Sequence, residues 1–200
     1  RNQLKLDFIK SFQLIDLFDE MSFEVTKNGI SVNSSQDFLN GEDNTIYKAA
    51  KRFKELFNIK TGIKININKN IPIGAGLGGG SSNAASTMVA LNRLWDINLD
   101  TENLIDIAKD EGADVPLFIF GKNSIGRGIG EKLKSNDSIE DNLLLIQPDI
   151  HNSTQEMFIE LDKSREENGF TINSNQNDFW DIYIKSCLLY TSPSPRDLMR

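Results

Sequence analysis

At 200 residues, 38% hydrophobic and 26% charged, the chain has the composition of a globular protein with room for one large domain or two small ones. Twenty-nine acidic residues against 22 basic ones give a formal net charge of −7, and the lysines form no long cluster, so nucleic acid is not an expected partner. The single cysteine, Cys187, excludes a disulfide within this chain and a cysteine-based zinc site. No apolar run approaches the ~20 residues of a membrane span, and Arg1 to Lys10 do not read as a signal peptide.

Phe12 to Met21 mixes apolar and acidic residues and reads as an edge strand or the lead-in to one. Phe23 and Val25, then Ile30 and Val32, alternate with polar residues on either side of Asn28-Gly29, which predicts a β-hairpin with a tight turn. Thr45 to Phe57 places Ile46, Ala49, Ala50, Phe53, Leu56 and Phe57 on one helical stripe. Ile63, Ile65 and Ile67 alternate with Lys64, Asn66 and Asn68, a strand with one buried face.

After a glycine-rich segment, Ala85, Met88, Val89, Leu91 and Trp95 give helical spacing over 84–95. Thr101 is the expected cap of a further helix carrying Leu104, Ile105, Ile107 and Ala108, ended by Gly112. Leu117–Phe120 and Leu143–Ile146 read as short buried strands, with Gly126, Gly128 and Gly130 in a flexible connection between them. Thr154 to Leu161 reads as a helix and Asn168 to Asn177 as a loop. Residues 188–200 carry a Ser-Pro repeat without apolar periodicity, and are read as a non-native or disordered tail.

The chemistry concentrates in Pro72-Ile73-Gly74-Ala75-Gly76-Leu77-Gly78-Gly79-Gly80-Ser81-Ser82-Asn83. Five glycines in twelve residues cost conformational entropy, and the use that repays it is close approach of backbone N–H groups to an anion. The following helix, expected to begin near Ser81 to Asn83, presents unpartnered N–H groups and the positive end of its dipole to the same place. A di- or triphosphate satisfies both, and Ser81 and Ser82 add hydroxyls. No Gly-Lys-Ser/Thr closes the loop, so it is not a P-loop. The acidic residue about 20 positions on, Asp96, follows a helix rather than a strand, against a dinucleotide fingerprint.

The loop resembles the ATP-binding loop of the GHMP kinases, and its triple glycine before Ser-Ser-Asn-Ala-Ala is similar to that of the branch acting on 4-diphosphocytidyl-2-C-methyl-D-erythritol. Gly112-Ala113-Asp114-Val115-Pro116-Leu117-Phe118 resembles a second motif of the same branch. Weaker matches occur in the family's order at Phe12-Gln13 through Asp19, Asn44 through Ala50, Gly128 to Leu133, and Asn177-Asp178-Phe179.

The resemblance implies an α+β chain. It predicts an ATP-binding domain of the ribosomal protein S5 domain 2-like type over 1–142 and the start of a C-terminal α/β domain over 143–187. It further implies transfer of the γ-phosphate of ATP, with Mg2+, to a small-molecule alcohol in isoprenoid precursor synthesis, in a bacterial cytoplasm, by a monomer or homodimer. Asp114 takes the role of catalytic carboxylate, against the alternative of a turn residue before Pro116. Lys69 falls near the adenine, or is a solvated lysine at a strand end. Asn44 reaches the nucleotide, caps a helix, or does both. Arg127 is read as a solvated loop residue in preference to a phosphate contact, and His151 as a surface residue. The family's Tyr-His pair, which holds cytidine, would fall at Lys5-Leu6, where this chain has neither, and its assisting lysine would precede Arg1. Both ends are therefore expected to be truncated.

Overall fold

The computed structural model describes residues 10–36, 39–127, 132–136 and 143–146. Contacts divide the chain into two units, Arg1–Gln147 and Pro148–Arg200, and every described residue belongs to the first. The predicted helix at 154–161, the loop at 168–177, His151, Cys187, Gly128, Gly130 and the tail lie outside the described residues.

Ten elements follow one another: β1 (Lys10–Phe12), β2 (Glu20–Thr26), β3 (Ile30–Ser34), α1 (Thr45–Leu56), β4 (Gly62–Asn68), α2 (Gly79–Leu94), α3 (Thr101–Ala108), α4 (Val115–Phe120), β5 (Ser124–Arg127) and β6 (Lys132–Ser135). The α+β class is as expected. The lead-in before β2 is also as expected, except that its first residue, Phe12, closes a short strand, β1, which pairs with β5 in a small antiparallel sheet ordered β1-β5-β6.

The predicted hairpin is not formed. Asn28-Gly29 does turn the chain, with Gly29 at φ +77°, but β4 lies between the two strands, giving the order β2-β4-β3. β2 runs antiparallel to β4 and β3 parallel to it, so each strand spends its ladder on β4 rather than on the other. Gly62 opens this arrangement: β4 starts directly against the turn, where Ile63 N–H donates to the Gly29 carbonyl at 3.0 Å. A Cβ on Gly62 would overlap the backbone of Asn28 and Gly29. Gly62→Ala is therefore expected to lower unfolding free energy by about 2–3 kcal/mol, as overpacking against backbone does. A denaturant midpoint equal to that of the unmodified protein would refute the close approach.

The core lies between one face of this sheet and the helices. Ile63, Ile65 and Ile67 are buried by the pleat, and the register sets Phe23 and Val32 on either side of Ile65. Ile46, Ala49, Ala50 and Phe53 form the buried stripe of α1 at the predicted spacing, each no more than 1% exposed. Each large member of the cluster contributes about 1.5–3 kcal/mol of burial. The stripe ends a turn early, because Leu56 is 52% exposed, while Phe57 packs edge-on against Phe53 with ring centroids 5.0 Å apart. Ala84, Ala85, Met88 and Leu91 bury the facing side of α2, and Trp95, its C-cap, joins them.

Four further expectations are corrected. α3 is capped by Asp100, whose carboxylate accepts from Asn103 N–H at 2.8 Å, so Thr101 is its first residue rather than its cap; the helix ends at Ala108, before Gly112. Residues 117–120 belong to a helix, α4, not a strand: a short apolar run has no period to tell the two apart, and Pro116 in the first turn suits a helix start. Gly126 lies inside β5, not in a loop. Leu143–Ile146 carry no strand, and their side chains are 48–85% exposed.

Candidate active site

The glycine-rich segment runs from the end of β4 into α2. Gly74, Gly76 and Gly78 all have positive φ, so every second residue folds the backbone back, and Gly78 is the αL N-cap of α2. The helix begins at Gly79, two residues before the expected start, because the triple glycine itself makes the cap and the first turn. Ser82 N–H donates to the Gly78 carbonyl at 2.8 Å, the first intrahelical bond. Helix geometry leaves the N–H groups of Gly79, Gly80 and Ser81 directed out of the helix end, where its dipole is positive.

The segment lines a cleft of about 440 Å³, within the usual range for a small-molecule site. Pro72 through Ser81 line it together with Asn44, Thr45, Ile67 and Lys69. Of the residues singled out from the sequence, Pro72, Ile73, Gly74, Ala75, Gly76, Leu77, Gly78, Gly79, Gly80, Ser81, Lys69 and Asn44 are brought together here, and Ser82 is not. Arg127 is exposed at the end of β5, away from this lining.

Asn44 lines the cleft and also caps α1. Its Oδ1 accepts from Ile46 N–H at 2.9 Å and its Nδ2 donates to the Leu39 carbonyl at 2.6 Å. Thr45 Oγ1 donates to the Gly80 carbonyl at 3.2 Å, tying the start of α1 to the start of α2.

Lys69 is neither solvated nor free. Its side chain is 6% exposed and its ammonium is paired with Asp19, whose side chain is 1% exposed. Asp19 Oδ1 also accepts from the backbone N–H groups of Asn70 and Ile71, both at 2.8 Å, and Oδ2 from Asn83 Nδ2 at 2.9 Å. Burial pushes this carboxyl up, but the hydrogen bonds from Lys69, Ile71, Asn83 and Asn70 together outweigh it and hold it below the ordinary carboxylate value. Sequence reasoning missed Asp19 as a member of the site. Its partners stand 50 to 64 residues away, and the signals were its place at the end of the matched segment Phe12 to Asp19 and its position closing an apolar stretch.

Asp114 lies outside the cleft lining. It is the half-buried residue before α4, and its side chain makes no capping bond to that helix. One turn further along, the Phe118 ring reaches the glycine loop: a Cβ on Gly78 would stand 2.9 Å from Phe118 Cζ. Asp114 is therefore separated from the loop contact by a single turn, about 6 Å of helix rise.

The segment before it is anchored by Arg52 of α1, which reaches Asp110 at 2.5 Å and Glu111 at 3.1 Å. Burial pushes the Glu111 carboxyl above its ordinary value against the pull of Arg52, and Asp110 adds to the rise. Among the described residues, no three His, Cys, Asp or Glu side chains gather into a metal site, and no helix is long and apolar enough to cross a membrane.

Residues 44–122 match the model of the GHMP kinases N terminal domain. The chain is also 41% identical over 181 residues to a Francisella philomiragia protein named 4-diphosphocytidyl-2-C-methyl-D-erythritol kinase, the match covering 86% of this chain and 66% of the relative. The chain carries a GHMP kinase N-terminal domain. A Methylococcus capsulatus protein of the same name is 39% identical over 180 residues, covering 87% of the chain and 62% of the relative. The chain thus spans 62–66% of the length of these curated relatives.

Among solved structures, a 4-(cytidine 5'-diphospho)-2C-methyl-D-erythritol kinase superposes with a TM-score of 0.51 at 37% identity, over 59% of this chain and 41% of that one. Mevalonate kinase of L. major superposes with a TM-score of 0.54 over 82% of this chain and 56% of that one. At 12% identity, that match speaks for the fold alone.

Proposed function

We propose that the protein of which this chain is part transfers the γ-phosphoryl group of ATP to the 2-hydroxyl of 4-diphosphocytidyl-2-C-methyl-D-erythritol. This is a step of the non-mevalonate route to isoprenoid precursors. The observation that carries the ATP half is the loop itself: three alternating positive-φ glycines deliver backbone N–H groups and a helix N-terminus to the lining of a cleft. The acceptor half is supported by relatives of that name at about 40% identity over most of the chain.

In this mechanism the N–H groups of Gly79, Gly80 and Ser81 take the phosphate oxygens, and Asn44 and Thr45 line the same cleft. Magnesium, when bound with the nucleotide, would neutralise phosphate charge, and the Ser81 hydroxyl would be available to a magnesium-bound phosphate. The alcohol oxygen attacks the γ-phosphorus, the bond to the β-phosphate oxygen breaks, ADP leaves, and Asp114 accepts the alcohol proton. Residues from about 143 onward begin a second domain, a placement supported by the unit boundary at Gln147. The protein works in a bacterial cytoplasm as a monomer or homodimer on a small-molecule substrate. Support for the bacterial setting comes from the Francisella and Methylococcus relatives.

The test is a phosphoryl-transfer assay on a full-length protein carrying this sequence, offered ATP, magnesium and the diphosphocytidyl alcohol beside homoserine and mevalonate. Transfer to the cytidyl substrate alone is expected. Transfer to homoserine or mevalonate instead would leave the ATP site standing and overturn the acceptor.

A further inference from the structure

We propose that Asp19 is a positioning residue for the nucleotide loop, acting from outside the cleft by pinning both flanks of the loop to one carboxylate. The proposal rests on the cleft being the ATP site. On the entry side, Asp19 takes the Lys69 ammonium and the backbone N–H groups of Asn70 and Ile71, the residues that lead into Pro72. On the exit side it takes Asn83 Nδ2, in the second turn of α2. A further bond, Asn70 Nδ2 to the Phe18 carbonyl at 3.0 Å, fastens the same junction.

The middle of the loop between these flanks has little packing of its own: Gly74, Ala75 and Gly76 are exposed. Their conformation is therefore set by where the two ends are held. A loop with free ends must be ordered by the nucleotide at the nucleotide's expense, whereas one with fixed ends is preorganised. Lys69 carries the effect to the phosphate end. Its Nζ lies 3.4 Å from the point where a Cβ on Gly79 would stand, beside the first N–H groups of α2. The Asp19 carboxylate decides where that ammonium sits. Asp19 touches neither reacting group and is not a catalytic residue.

The test uses a full-length protein and ATP itself, with the ATP dissociation constant read by calorimetry, KM for ATP and for the alcohol read by turnover, and a melting curve run alongside. Asp19→Asn is expected to raise the ATP dissociation constant and KM for ATP by roughly 10- to 100-fold, the scale of a small misplacement of a binding group. KM for the alcohol is expected to stay unchanged. A purely structural role would lower the melting temperature and the active fraction but leave both ATP constants where they were, and that result overturns the proposal. Should Asp19→Asn fail to fold, Asp19→Glu reads the same quantity: it keeps a charge for Lys69 but, one methylene longer, cannot hold all four donors in place. A folded Asp19→Glu protein with unaltered ATP affinity overturns the proposal too. An unmodified protein that does not bind ATP would overturn the assignment of the cleft and this proposal with it. Binding by the unmodified protein with unchanged variants would overturn this proposal alone.

Discussion

Asp114→Asn in a full-length protein is expected to lower kcat by about 10²- to 10⁴-fold, the usual worth of a positioned proton acceptor, while the ATP dissociation constant stays nearly unchanged. The carboxamide has the shape of the carboxylate and preserves the entry to α4, where Val115 N–H donates to the Gly112 carbonyl at 3.2 Å. It cannot accept the alcohol proton. Because Asp114 stands outside the cleft lining, its charge is not needed to hold the nucleotide, so turnover and ATP binding should separate. Equal loss of both would assign Asp114 to building the turn before Pro116 rather than to chemistry. Steady-state kinetics combined with ATP calorimetry on the same preparation decides between them.

Asp19→Ala is expected to cost about 3–5 kcal/mol of unfolding free energy at neutral pH, the scale for removing one partner of a buried ion pair. That is a large part of the ~5–15 kcal/mol a domain possesses. The variant leaves the Lys69 ammonium, 6% exposed, without its counter-charge and removes the acceptor of two backbone N–H groups.

The effect carries a pH signature whose sign is fixed. Because the folded carboxyl is held below its ordinary value of 3.8, folding favours the ionised form. Its contribution is complete above that value and is lost as pH falls below 3.8 through the lower folded value. Denaturant unfolding at about pH 7 and again at about pH 3 should therefore show the unmodified protein and the variant converging in acid. Curves that stay parallel across that range would refute the ionised buried pair.

What the sequence disclosed follows the range of the interactions involved. α1 and β4 were legible because their burial repeats at the period of the element: 46, 49, 50 and 53 in one, 63, 65 and 67 in the other. The glycine-rich loop was legible because its pattern is local, a run of glycines feeding a helix start. The β2–β3 pairing was misread because Asn28-Gly29 reports only that the chain turns. Nothing in those residues says that a strand beginning at Gly62 will occupy the space between. α4 was misread because six residues of continuous apolar character fit either element. The Asp19 cluster was invisible for a related reason: a carboxylate gathers Lys69, Asn70, Ile71 and Asn83 only after β4 has been threaded beside β2.

The placing of β4 between its two predecessors also dictates an order of events. As the polypeptide leaves the ribosome, the segments 20–26 and 30–34 have no hydrogen-bonding partner in each other. Both must wait until residues 62–68 arrive, with α1 already spanning the gap between the parallel strands. Closing contacts over such separations is slow relative to making a hairpin. The sheet should therefore form in one late step, in which the acidic lead-in, the strand and the entrance to the glycine loop lock together.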